Sequence, residues 1–269
     1  ELAEGWFWRL KKAQPKAIIA QLHIVYTDGS EEDIGTDESW FVAESNMQFC
    51  HLYDGIIYDA THTPVFDTLA KIASDNSQDL LIPQEGETVK EQERLCVKEV
   101  IITPKGETVL DFGQNMTGYL EFSVDAHEGD ELSFSFGEIL DKDGNFYNAN
   151  YRSAKALYKY ICNEGKQTYK PNLTFYGFRY VRVDSYPTDI DPNNFTAIVV
   201  HSEMKRTGYI ESSDPLLNQL FSNIVWGQKG NFLDIPTDCP QRDERQGWTG
   251  DAQVFCKTAS YNFDVEKFF

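Results

Sequence analysis

The sequence is short of positive charge, of paired cysteines and of long apolar runs. Lysine and arginine number 24 against 43 aspartates and glutamates, a formal net charge of -19. No basic stripe offsets that deficit, which argues against nucleic acid and against an anionic membrane surface as partners. The five cysteines (Cys50, Cys96, Cys162, Cys239, Cys256) are odd in number, widely spread and without a CxxC pair, so neither a disulfide framework nor a metal site is indicated. No apolar stretch reaches the ~20 residues of a membrane helix, and no signal peptide is visible. A cytoplasmic location fits these absences. The chain begins at Glu1 rather than at methionine, and we expect its native start to be missing. Low-complexity segments are lacking too, and 41% hydrophobic content over 269 residues supplies a real core for two or more domains.

Aromatic residues are plentiful: 14 tyrosines and 18 phenylalanines suit both β-sandwiches and carbohydrate surfaces, with core packing explaining most of them. Residues 1–12 carry Trp6, Phe7 and Trp8 among scattered charges and read as the end of something longer. The run from Lys16 to Tyr26, the pair Asp28 and Gly29, and the run Trp40 to Val42 read as antiparallel strands around a tight turn. His23, half-buried in the first of them and without a partner motif, reads as structural. Residues 61–89, broken by Pro64, Pro83 and Gly86 and containing the polar run Ser74 to Ser77, read as a connector.

From about Thr88 to Ser202, short strands and turns alternate in the manner of an antiparallel sandwich. Leu120, Phe122 and Val124, like Leu132, Phe134 and Phe136, fall on one face; Glu121, Ser123, Ser133 and Ser135 fall on the other. Asp141 to Asn145 resembles a short calcium loop but lacks the distal glutamate, so we read a hairpin turn. Asp111, Gln114 and Asn115 could address sugar hydroxyls or fasten their own turn, and the turn is favoured. Beyond Val200 the pattern changes. Asp214 as N-cap, Pro215 at the first helical position, and Leu217, Leu220, Phe221, Ile224 and Val225 predict an amphipathic helix. A second helix is predicted over residues 251–261, with Val254, Phe255, Thr258 and Ala259 on one side.

Between the two helices lies the stretch with the most chemistry. Residues 234–251 hold Asp234, Asp238, Asp243, Glu244 and Asp251, with Arg242, Arg245 and Trp248, interrupted by Pro236, Pro240, Gly247 and Gly250. Such punctuation predicts an irregular, fixed backbone. Crowded acids repel one another and raise the pKa of the least solvated member, which is one way to make a proton donor for neutral pH, while the two arginines work against too large a rise. The ordinary reading of a charge run is a solvated, salt-bridged face. Trp248 and the rigid punctuation favour a sugar site, where carboxylates take hydroxyls and aromatic rings take the apolar faces of the ring. Cys239, with no adjacent histidine, reads as a packing residue rather than a nucleophile.

The sequence DCPQRDERQGWTGDA from Asp238 onward resembles, without a gap, the signature loop of bacterial α-L-rhamnosidases, glycoside hydrolase family 78. Residues Tyr53 to Ala60 resemble the DGExYDA element of the family's N-terminal domain, departing from it at Ile56, where an acid is usual; the first domain therefore reads as structural. Val109 to Gly118, Gly137 to Leu140 and Phe175 to Val181 resemble the DFGQNxxG, GExL and GFRY elements of its concanavalin-like domain. The resemblance implies a mainly β chain with a helical C-terminal part: antiparallel β-sandwich domains followed by the first helices of an incomplete (α/α)6 barrel. The expected boundaries are 1–87 for the N-terminal β-rich domain with its connector, 88–202 for the sandwich and 203–269 for the start of the barrel.

By the same resemblance the reaction is hydrolysis of terminal α-L-rhamnose with inversion, without a cofactor or metal. Glu244 is the implied general acid; Asp238, Arg242, Trp248 and Asp251 hold the rhamnose, with Asp243 a second-rank candidate. Two helices cannot close a barrel of twelve, so the chain is expected to be cut at both ends. Its apolar helix faces would then stand uncovered, and the general base would lie on a later loop. Three other readings stand beside this one: a carbohydrate-binding module made by residues 88–202, an (α/α)6 enzyme for another sugar, and a solvated structural loop.

Overall fold

The computed structural model describes residues 17–73 and 81–269; Trp6, Phe7, Trp8 and Ser74 to Ser77, singled out above, lie outside them. The chain is mainly β, with two helices at its C-terminal end. Ten strands form one curled sheet. Its path runs through strands 47–51, 55–59, 157–161, 131–137, 176–185, 108–126, 195–202 and 89–96, and strands 99–102 and 165–169 also pair with 108–126. The 19-residue strand Thr108–Ala126 is thus the hub, pairing with four others along its length. One pair departs from the antiparallel expectation: 55–59 runs parallel to 157–161. Residues 47–59 are therefore built into the same sheet as residues 89–202.

Alternation explains the core. Leu120, Phe122, Leu132, Phe134 and Phe136 are all fully buried, each removing apolar area worth roughly 1.5–3 kcal/mol from water. Rings interlock across strands, with Phe136 stacked on Tyr176 at 3.8 Å and Phe122 edge-on to Tyr160 at 5.0 Å. Ser135 keeps to the polar face but is buried there, at 8% exposure, with its hydroxyl donating to Asp184 Oδ2 at 2.5 Å and Arg182 beside it. The motif elements fasten one another. Asp111 takes a two-pronged ion pair from Arg179 at 2.8 and 2.7 Å and also accepts from Gly113 N. Burial works to raise its carboxyl, but Arg179 and the Gly113 amide outweigh that and hold it below the usual carboxylate range. Asp141 accepts from the amides of Asp143 and Asn145 and closes a hairpin turn.

The turn at Asp28 and Gly29 joins Gln21–Val25 to Glu31–Gly35, apart from the main sheet, whereas the run Trp40 to Val42, expected to follow that turn as a strand, pairs through Phe41–Val42 with Thr68–Leu69. The first hairpin's faces are largely exposed, and His23 is an exposed surface residue rather than a half-buried one: Nδ1 sits 2.8 Å from Asp33 Oδ1 across the hairpin. Helix α1, Pro215–Asn231, is capped by Asp214, whose carboxylate accepts from Leu216 N at 2.8 Å. Helix α2 spans Thr249–Asn262. Its predicted face is corrected: Ala259 is buried and Phe255 half-buried, whereas Val254 is 85% exposed and Thr258 faces solvent. Phe255 meets Phe232 edge-on at 6.2 Å, and Met204, Val225, Phe232, Ala259, Phe263 and Val265 form a second, small core.

Candidate active site

The acidic bend leaves α1 through Phe232 and returns to α2 at Thr249. Its ends are pinned together: Thr237 bridges Gly247, and Trp248 N donates to Pro236 O at 3.0 Å. Asp234 and Arg245 take positive φ of 67° and 49°, conformations costly for residues with a Cβ. The backbone is irregular and fixed, as the prolines and glycines imply.

Arg245 anchors it. Its side chain is completely buried, yet its hydrogen bonds among the described residues all go to backbone carbonyls. The guanidinium donates to the carbonyls of Leu52, Phe175, Gln241 and Arg242 at 2.6 to 3.1 Å, and lies over the rings of Phe175 and Tyr53. The expectation that Arg245 tempers the acids is therefore corrected; it ties the bend to two segments of the β-sheet region. Burial pulls its pKa down to about 10, so it keeps its charge at neutral pH. Tyr53 adds a hydrogen bond to the carbonyl of Glu244 at 2.6 Å. Gly177, in the strand 176–185, lets the sheet approach: a Cβ there would lie 2.8 Å from Pro240 Cγ and 3.0 Å from Gln241 N.

On this support the structure brings together Asp238, Arg242 and Glu244. Arg242 Nη2 donates to Asp238 Oδ2 at 2.9 Å and Arg242 Nε to Glu244 Oε2 at 3.1 Å. Asp238 also accepts from Gln246 N at 3.3 Å and is only 10% exposed along its side chain. Glu244 is 24% exposed and does not stand free in solvent. Its partners are two guanidinium groups, since Arg152 Nη1 reaches the same Oε2 at 3.0 Å. The physical reason given for the acid is thus revised: cations, not crowding acids, are its contacts. Asp243 turns to the β-region, accepting from the amide and hydroxyl of Ser153, with Arg152 4.0 Å away. Trp248 exposes 45% of its surface just before α2, and Asp251 lies exposed in the helix's first turn. Among the described residues neither bonds to the Asp238, Arg242 and Glu244 group through its side chain.

Cys239 is buried, and burial together with a hydrogen bond to Asp238 pushes its thiol up to about 11, which suits packing and not nucleophilic chemistry. Behind Arg242 opens a cavity of about 260 Å³, lined by Asn115, Glu138, Trp226, Asn231, Asp238 and Gln241 among others. Burial raises the carboxyl of Glu138, against the opposing pull of Asn115, which donates to it at 3.1 Å, and of Arg242. Asp111 fastens its own turn, and Gln114 bonds the carbonyl of Asn115, so of that trio Asn115 alone lines the cavity. Among the described residues no group of three or more His, Cys, Asp or Glu could hold a metal ion. No described helix is long and apolar enough to cross a membrane.

Sequence reasoning missed Arg152 and Glu138. Glu138 carried a signal, an acid inside the Gly137 to Leu140 element at the end of a buried strand. Arg152 carried none, because its partner lies 92 positions away.

The sheet leads into two helices with an acid, an arginine and an indole at the junction, and three domain families match the chain in that order. Residues 2–100 match the alpha-L-rhamnosidase N-terminal domain, residues 101–201 the bacterial alpha-L-rhamnosidase concanavalin-like domain, and residues 205–269 the bacterial alpha-L-rhamnosidase 6 hairpin glycosidase domain. An alpha-L-rhamnosidase of Streptomyces avermitilis is 38% identical over 98% of this chain, and one of Formosa agariphila is 38% identical over all of it. In structure, the S. avermitilis alpha-L-rhamnosidase complexed with L-rhamnose matches with a TM-score of 0.86 at 37% identity, over 93% of this chain and 25% of that one. The native enzyme of Aspergillus terreus matches with a TM-score of 0.85 at 36% identity, over 93% and 30%. The chain belongs to the bacterial α-L-rhamnosidase family. It spans 27% and 31% of the length of the two relatives.

Proposed function

We propose that this chain carries the proton-donating half of an α-L-rhamnosidase that releases terminal rhamnose with inversion. The observation that supports it best is the union of Asp238 and Glu244 through Arg242 at a bend whose next aromatic, Trp248, is open to a ligand. Glu244 gives its proton to the glycosidic oxygen as that bond breaks. Asp238, Arg242, Trp248 and Asp251 hold the sugar, and Asp243 serves the bend rather than the substrate. Inversion needs a second carboxylate roughly 6.5–9.5 Å from the acid to activate water on the opposite face. We assign that base to a segment beyond residue 269, so the chain alone does not turn over. The boundaries 1–87, 88–202 and 203–269 are proposed as the domain divisions. The relatives' being alpha-L-rhamnosidases supports rhamnosides as the substrate class.

The test is Glu244→Gln in a polypeptide extended to the length of the relatives, assayed on an aryl α-L-rhamnoside. A general acid contributes about 10²–10⁴-fold, so kcat should fall at least about a hundredfold; a fall under about tenfold moves the role elsewhere. Proton NMR of the first-formed sugar should show the anomer opposite to the substrate's.

A further inference from the structure

We propose that Arg152, contributed by the β-region, is a positioning residue that fixes which oxygen of Glu244 carries the proton. The inference rests on the role of Glu244 proposed above. Arg152 and Arg242 both donate to Glu244 Oε2, at 3.0 and 3.1 Å, and Oε1 has no hydrogen bond among the described residues. Two guanidinium groups occupying one oxygen leave only the other as a place for a proton when the carboxyl carries one, and only that free oxygen can be offered to a leaving group. Two fixed donors from different parts of the chain also stop the carboxyl from rotating. Proton transfer is sensitive to such orientation, since the donor must sit within hydrogen-bond reach of the oxygen it protonates.

The backbone supports this reading. Arg152 closes the short 3-10 turn Ala149–Tyr151 with φ 59° and ψ -116°, a conformation suited to glycine and strained for any residue with a Cβ. The turn is held on both flanks: Tyr151 is buried and its hydroxyl donates to Gly177 O at 2.6 Å, while Ser153 bonds Asp243. The Arg152 side chain is 56% exposed, and ion pairs that open to solvent contribute little to stability. A strained residue retained for a weakly stabilising pair is explained by where it puts its charge. At a position that glycine would fill without strain, the side chain is the reason for the cost.

The proposal is tested with Arg152→Ala, Arg152→Gly and Arg152→Lys in the enzyme carrying the complete helical domain, each alone and with Glu244→Gln. We expect kcat to fall about 10- to 100-fold in the alanine and glycine variants, within the span of general-acid effects, with KM changed less than about twofold. Lysine should restore part of the rate. The glycine variant should melt no lower than the parent, which separates positioning from folding. Because Arg152 acts through Glu244, adding Arg152→Ala to Glu244→Gln should cause no further loss. A loss that multiplies on the Glu244→Gln background, a change confined to KM, or an unchanged kcat would each overturn the assignment. If Glu244→Gln by itself keeps its rate, it is the general-acid reading that fails, and Arg152 loses its role with it.

Discussion

Arg245 illustrates how differently two adjacent motif residues can be used. It follows Glu244 directly, yet it is spent on four backbone carbonyls at a fully buried position. Replacing it by methionine leaves those acceptors stranded at about 1–3 kcal/mol each before relaxation, so Arg245→Met should lower stability by about 3 kcal/mol or more, read from the urea midpoint. Burial of Cys50, Cys162 and Cys239 gives a second expectation: in the folded chain Cys96, which is exposed, should react with a thiol reagent at pH 8 well before those three. Glu138 gives a third. Its carboxyl is raised above 4.5 chiefly by burial, so the folded chain binds that proton more tightly than the unfolded one. Stability from this group is present below the unfolded value and declines as pH rises through the folded value. Glu138→Gln should therefore be more stable than the parent at pH 7 and lose the advantage near pH 4; equal curves would contradict the shift. The acid, the arginine and the indole of the bend were legible because their types are packed into eighteen residues. Their partners were not, since which cation meets which carboxylate depends on Arg152, Ser153 and Tyr53, far away in sequence.

At the scale of elements, two-residue alternation identified the buried faces of Leu120 to Val124 and Leu132 to Phe136, and the signals at Asp214 and Pro215 placed the start of α1. What alternation did not contain was the reach of the strand Thr108–Ala126, whose Gly118 passes against its neighbour so closely that a Cβ would lie 1.8 Å from Ile198 O. Backbone cannot move aside as a side chain can, and Gly118→Ala should cost about 3 kcal/mol or more. Asp214→Ala, by contrast, removes a single cap and should cost about 1 kcal/mol. Helix α2 was placed within two residues, but its inner face was misjudged. Val254 and Phe255 are adjacent apolar residues about 100° apart on a helix, and only contact with Phe232 decides between them.

For the whole molecule, the consequence is that the sheet region builds the seat of the acidic bend. Leu52, Tyr53, Arg152, Ser153 and Phe175 all hold residues 243–245. The helices keep open apolar faces, with Leu216, Leu217 and Leu220 on α1 and Val254 on α2 all more than half exposed. A barrel over them would complete both the fold and the site, and the chain on its own should show no turnover of an aryl rhamnoside; measurable turnover would place the base within these 269 residues. The central claim is that Glu244 protonates the departing oxygen. Its most direct test compares the Glu244→Gln enzyme on 2,4-dinitrophenyl and phenyl α-L-rhamnosides. A leaving group that departs as a stable anion needs no proton, so the loss in kcat/KM should be about tenfold or less on the dinitrophenyl substrate and at least about a hundredfold on the phenyl one. Equal losses on both would contradict the account.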